Sequence, residues 1–559
     1  MTPEAALDTF FDAYYRRRPV TATFTGVHTY DHQLPDWSLK ALKESADEMR
    51  ALRRVLAAAG FAGDAEARAF PEAIDLALAD GFLEIQIAEH EGAHFYRTNP
   101  ALWTGEAIFS VVSLVTRDFA PIGDRVSAAT ARLSEIPRFL ADAQEVISAS
   151  PAAWKAKALR ECDSTAILFG RSLPEWFRTC SVAEPAVAAA IDAAGRADAA
   201  FRSFAAWIGE SLPTAEDGTS AGQPFLELLL RRGHQCTAPV ATLLAEARDA
   251  LTQATSELHA RAAAFGGWPA AQEQLAASHP AREQYLDRFA EVWSSARDVA
   301  KHDLVEWPES PIRYVPVPDH MRDAAPLLYY LFYRSPAPFD RVPIHDYVVT
   351  PIDATMTTTE QDQRLRAVND SVITLNHVIH HGGLGHHVQN AHAYRGKSRI
   401  GQVAAVDGAS RIAMFCGGSL AEGWACYACD LMEEIGFLSP LDEVSQQHTR
   451  VRLLARAVAD LSLHSGMMTI EATETFYRDQ GHMSATAAAG EAVKTSMFPG
   501  AAVMYWLGTR GVHDLRRACA AREGDVFSLR RFHDRFLSYG AIPVALIARL
   551  MLAQGANGA

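Results

Sequence analysis

Cysteine, basic charge and long apolar runs are all in short supply in this chain of 559 residues. Its seven cysteines, Cys162, Cys180, Cys236, Cys416, Cys426, Cys429 and Cys519, are odd in number and scattered, which excludes the paired framework of a small secreted domain. Acidic residues outnumber basic ones by 67 to 52, for a formal net charge of -15, so no broad cationic face is offered to a phosphate backbone or an anionic bilayer. Neither nucleic acid nor membrane is expected as a partner. The stretch Ala324–Tyr333 is apolar over about half the length a spanning helix needs. The first residues, MTPEAALDTFFDAYYRRR, set acids among aromatics and lack the basic start and apolar core of a signal peptide, so a cytoplasmic location is expected. No period of about 20–50 residues repeats, which excludes a solenoid or a propeller. Oligomeric state leaves no trace in the sequence.

What the chain does hold is 49% hydrophobic and 21% charged residues, an ordinary globular balance with enough apolar material for a large core. Apolar residues recur at three- and four-residue spacing over Ala41–Ala59, Glu72–Glu91, Ala129–Ile147, Val187–Trp207, Ala238–Phe265 and Arg282–Val305, which predicts amphipathic helices. The polar stretch Gly209–Gln223 reads as a surface loop and a seam between two lobes, residues 1–215 and 225–559. Between Trp307 and Ile352 prolines recur among β-favouring segments, Ile312–Val317 and Tyr347–Ile352, which predicts a few short strands. Helical pattern returns from Thr358. The expected fold is mainly α, with a small β patch just before the segment that carries the chemistry.

That segment is Asn376–Tyr394, NHVIHHGGLGHHVQNAHAY, with six of the 21 histidines: His377, His380, His381, His386, His387 and His392. Imidazole is the commonest protein metal ligand, and the density points to a metal. On a regular helix His377 and His381 share a face, as nearly do His380 and His387, whereas His380 and His386 sit about 120° apart. The latter pair converges only if Gly382, Gly383 and Gly385 distort the helix between them. Downstream, Gly417–Gly436 reads as a helix, with Glu422 near its start. Ser419-x-x-Glu422 fits a capping box, in which Glu422 would bind only a backbone N–H. The alternative is an anionic third ligand beside two histidines. Cys426 and Cys429 form a lone CxxC, better read as buried small residues than as a zinc or redox motif.

The motifs His380-His381-Gly382-Gly383-Leu384-Gly385-His386-His387-Val388-Gln389 and Glu422-Gly423-Trp424-Ala425-Cys426-Tyr427 resemble those of the bacterial domain-of-unknown-function 885 family. Its members look like helical zinc metallopeptidases with H-E-x-x-P-G-H, often followed by H-x-Q, and then E-G-W-A-x-Y. Pro19–Trp37, Arg452–Gly466, Phe498–Gly508 and Arg531–Pro543 are similar to further blocks of that family, so the likeness spans nearly the whole chain. It implies a large helical metallopeptidase-like fold, with the β patch near an active-site cleft. It also implies one divalent metal ion, zinc first and iron or manganese as alternatives, on His380, His386 and Glu422. Tyr505 and His464 would face that site as catalytic groups. Plainer roles are open to both: Tyr505 as a core aromatic after the Pro499-Gly500 helix start, and His464 as a helix-end partner four residues after Asp460.

Two positions depart from the pattern. Leu384 stands where proline is usual, in a turn that glycines already loosen. His381 stands where a glutamate would take a proton from water. Imidazole can serve as that base, and it is also a good ligand. Three readings follow. The first is a metal-dependent hydrolase of an amide, peptide or related bond with His381 as base, acting on a small molecule or short peptide. The second is an iron or manganese enzyme of another reaction type, and the third a binding protein without catalysis.

Overall fold

Helix-forming residues dominate the chain, and the structure, a computed structural model, is mainly α as expected. It describes residues 1–60, 71–324, 337–340, 345–405, 407–408, 411–412 and 414–554. The expected helices form at Leu39–Ala58, Glu72–Glu91, Ile122–Val146, Glu184–Glu210, Val240–Ala262 and Tyr285–Asp303. A further helix, Pro100–Val115, had no stripe to announce it, because 14 of its 16 residues are buried. The Gly209–Gln223 segment is largely irregular, and Thr214–Ala215 within it pairs in parallel with Ser150–Pro151.

Three apolar clusters hold the helices together. One gathers Phe10, Phe289, Trp293, Tyr347, Ile379, Trp424 and Phe536, so the N-terminal helix and the histidine segment share a core. The second centres on Trp103, Phe139, Trp154 and Phe201, and the third on Leu243, Leu258, Val458 and Trp506.

The expected β patch is a parallel pair, Ile312–Pro316 with His345–Val349, in the register Ile312↔His345 to Pro316↔Val349. Tyr314 and Tyr347 lie opposite each other with ring centroids 5.0 Å apart. The patch is tied to the histidine segment: the Tyr347 hydroxyl lies 2.7 Å from His377 Nδ1, and His387 Nε2–H donates to the Ser310 carbonyl at 3.0 Å. The apolar stretch Ala324–Tyr333 lies outside the described residues after Ala324 itself.

A close helix crossing carries the second motif. Gly418–Glu434 packs on Met504–Glu523 where Gly423 meets Gly508. A Cβ on Gly508 would lie 1.9 Å from the Ser419 carbonyl oxygen, and one on Gly423 would lie 2.5 Å from Gly508. Both neighbours are backbone, which cannot swing away. Gly508→Ala should therefore cost about 3 kcal/mol or more, read as a lower urea midpoint. An unchanged midpoint would show that the two helices are not in contact.

Candidate metal centre

The residues before the glycines do not form an α-helix. Ile373–Gly382 is π-helical, each turn one residue wider than usual. The chain then turns through Gly383-Leu384-Gly385 and re-enters an α-helix at His386–Arg395. The Gly385 N–H reaches back to the Ile379 carbonyl at 2.8 Å, across six residues. A Cβ on Gly385 would sit 2.0 Å from the His380 carbonyl oxygen, and one on Gly383 2.8 Å from that of Val378. Only glycine lets the turn close this tightly.

Two indoles pin it. Trp293 Nε1–H donates to the Gly382 carbonyl and Trp424 Nε1–H to the Leu384 carbonyl, each at 2.8 Å. Trp424 lies two residues after Glu422, so the helix that presents the carboxylate also grips the turn that presents the imidazoles.

The distorted turn brings His380 and His386 together, their rings perpendicular with centroids 4.9 Å apart. Glu422 Oε2 lies 3.3 Å from His380 Nε2 and 3.6 Å from His386 Nε2. Ligands at about 2.0–2.1 Å around a tetrahedral zinc stand roughly 3.4 Å apart, so these spacings fit the edges of such a site. That oxygen is buried and has no hydrogen-bond partner among the described residues, an arrangement that is costly for a carboxylate unless a cation compensates it. Among the described residues one group of nitrogen donors is close enough to hold an ion, and it includes His381: one ring nitrogen each of His380, His381 and His386 lie within 4.8 Å of one another.

Electrostatics suit ligation. Burial alone would raise the Glu422 pKa, but the imidazoles of His386 and His380 outweigh it and hold the carboxyl well below its usual value. Burial lowers the pKa of His380, against the pull of Glu422, and lowers that of His381 further with help from His380 and His386. The rings are therefore neutral, the form that binds metals. His381 Nδ1 lies 2.6 Å from the Asn376 carbonyl oxygen. A carbonyl only accepts, so Nδ1 carries the proton and Nε2 the lone pair.

The capping-box reading of Glu422 fails. The helix starts at Gly418 without a side-chain cap, and Ser419 lies inside it, where its hydroxyl accepts from the Val544 N–H at 3.3 Å. His464 has a structural place: Nε2–H donates to the Thr495 carbonyl at 2.9 Å, and Nδ1 accepts from the Ala221 N–H at 3.1 Å. Both nitrogens are thus engaged with main chain, which leaves none for a substrate. Tyr505 is half-buried on the helix that crosses Glu422's own, with the Arg456 guanidinium 5.4 Å from its ring centroid. Arg456 is gripped by Glu491 at 2.6 and 2.7 Å, and its charge helps to lower the His380 pKa. Trp293, Arg456 and Glu491 went unmarked in the sequence because each lies far along the chain from the histidines, with no local pattern. All seven cysteines are free, and burial pushes the Cys426 and Cys429 thiols well up, as packing residues require.

The family model described as "Bacterial protein of unknown function (DUF885)" matches residues 19–551. The chain belongs to this family. Its fold is that of two solved structures. One, described as a lipoprotein of unknown function from Shewanella oneidensis, has a TM-score of 0.76 at 20% identity, covering 99% of this chain and 100% of that one. The other, described as a lipoprotein from Colwellia psychrerythraea, has a TM-score of 0.77 at 15% identity and full coverage of both chains. No curated protein matches the chain. The two descriptions overturn the expected cytoplasmic location, since a lipoprotein is tethered to a membrane by its acyl chains. That expectation leaned on the first residues of the sequence, which do not decide where a protein works. Among the described residues no helix is long and apolar enough to cross a membrane.

Two measurements check the scaffold of the site. Trp424→Phe removes one hydrogen bond from the turn, worth about 1 kcal/mol, so the Gly385 amide should exchange with solvent about fivefold faster; unchanged protection would mean the indole does not hold the turn. Glu491, which Arg456 holds at a pKa of about 2 against burial, contributes stability that is present above its unfolded value and lost as pH falls toward 2. Glu491→Gln should flatten the stability profile between about pH 4.5 and 2, and an undiminished slope would refute the pairing.

Proposed function

We propose that this protein is a metal-dependent hydrolase that cleaves an amide, peptide or related bond in a short peptide or small molecule. The observation that carries the reading is the buried, otherwise unpartnered Glu422 oxygen 3.3 and 3.6 Å from two imidazole nitrogens. His380, His386 and Glu422 would hold the ion, zinc first, which when bound supplies a Lewis acid and acidifies water. The chain's own residues supply the rest. His381 Nε2, with its lone pair fixed by the Asn376 bond, takes a proton from water and returns it to the leaving nitrogen. Arg456, beside the Tyr505 ring, places positive charge near the donor set, where it would stabilise the negative charge that develops on the substrate oxygen. The descriptions of the solved relatives as lipoproteins support a place of work outside the cytoplasm for the proposed activity.

A second reading has an observation of its own. Because the donors of all three histidines lie within 4.8 Å of one another, His381 could complete a ligand shell of three imidazoles and a carboxylate, which suits an iron or manganese enzyme of another reaction type.

Metal analysis of untagged protein should find about one zinc per chain, lost in His386→Ala and Glu422→Gln; protein without any metal would turn the reading toward a binding protein. His381→Ala should abolish turnover with metal content near normal. Loss of the metal in that variant would make His381 a ligand and favour the second reading. Peptidase activity that appears only in His381→Glu would show that the natural chain is not a peptidase.

A further inference from the structure

Apart from the histidine turn, the first helices of the chain, together with Leu229, Phe415 and Phe498, line a partly open cavity of about 180 Å³. Neither the four donor residues nor Tyr505 lines it. Its walls are aromatic, with Phe24, Trp37, Phe82, Phe109, Phe415 and Phe498 around it. An apolar cavity of about 150 Å³ in a protein core takes up benzene, so this one has room for a fused ring.

The charged groups at the cavity are engaged with the protein. Arg17 pairs with Glu48 at 2.7 Å. Arg18 donates to Gln86 and lies 5.1 Å over the Phe82 ring, and Gln86 donates to Glu89 at 2.7 Å. Asp36 accepts from the Ser38 N–H at 3.0 Å, and Glu106 lies in the field of the buried Arg132. An ionic guest would have to break into these contacts, which favours a neutral one.

His90 differs from these groups. It is buried and lines the cavity, and its Nδ1–H donates to the Gln86 carbonyl at 2.7 Å, which leaves the lone pair on Nε2. Burial holds its pKa down to about 4, so the ring is neutral at physiological pH. No hydrogen bond reaches Nε2 among the described residues. An acceptor in an aromatic box selects a ring that carries a donor.

We infer that this cavity is a second ligand site, for a neutral aromatic ring bearing an N–H or O–H that donates to His90 Nε2. The site is independent of any metal. It also borders the approaches to the Glu422 helix and to the helix that crosses it: Phe415 lies seven residues before Glu422, and Phe498 seven before Tyr505.

Indole, a fused ring with a single N–H, is the probe, and benzofuran is its counterpart without that donor. Calorimetry on the full chain should show saturable binding of one indole, with benzofuran at least tenfold weaker. His90→Leu should bring the two compounds to parity. Met49→Trp and Ala501→Leu each enlarge a lining side chain, and each should abolish indole binding while circular dichroism stays native. Indole should also slow amide exchange at Trp37 and Gln86 in the unaltered protein, which locates the site without a substitution. Glu422→Gln should bind indole as the natural chain does. Absence of saturable binding, protection elsewhere than these segments, or binding retained in a folded cavity-filled variant would overturn the site. An unchanged preference for indole in His90→Leu would overturn the role of the donor.

Discussion

Two indole N–H groups reach carbonyls inside a turn that has no regular ladder of its own, and the rest of the centre depends on them. Between Gly382 and Gly385 the backbone is buried and no longer helical, and a buried carbonyl without a partner costs on the order of 1–3 kcal/mol. Trp293 and Trp424 satisfy two of these groups while their rings fill the largest apolar cluster. A loop built of glycine and one leucine would otherwise sample many shapes. Here it has one, in which His380 and His386 face the same carboxylate.

Much of this was legible in the sequence, for identifiable reasons. Helices such as Leu39–Ala58 carry a one-sided apolar stripe, and the β patch is bracketed by prolines, so period and punctuation sufficed. The convergence of His380 with His386 could be read as conditional on a distortion, because three glycines stand between them. That the distortion begins as early as Ile373 could not be read, since Ile373–Val378 looks like ordinary helix. Local pattern also misdirects at Ser419-x-x-Glu422, where the serine serves the Val544 backbone from a distant helix. His464 shows the same limit: a histidine near a helix end carries no sign of whether its nitrogens meet main chain or substrate. Location lay beyond the reach of composition altogether.

Charge is organised around the centre on a small scale. Burial keeps His380 and His381 neutral, Glu422 is held ionised by its neighbours, and Arg456 is fixed by Glu491 rather than left to pair with the donor carboxylate. The net result is one negative oxygen set among imidazole nitrogens, with the nearest guanidinium already held by another carboxylate.

Because Glu422 and Trp424 are two residues apart on one helix, the carboxylate and the clamp on the opposing loop cannot drift separately. Any tilt of that rod shifts one end of the donor set and drags the other with it. The centre is thereby protected against small thermal displacements, since its parts move in step. The same linkage makes it brittle to insertions: one extra residue between positions 422 and 424 would rotate the oxygen away from the imidazoles while leaving the indole in place, with no compensating adjustment open to the chain.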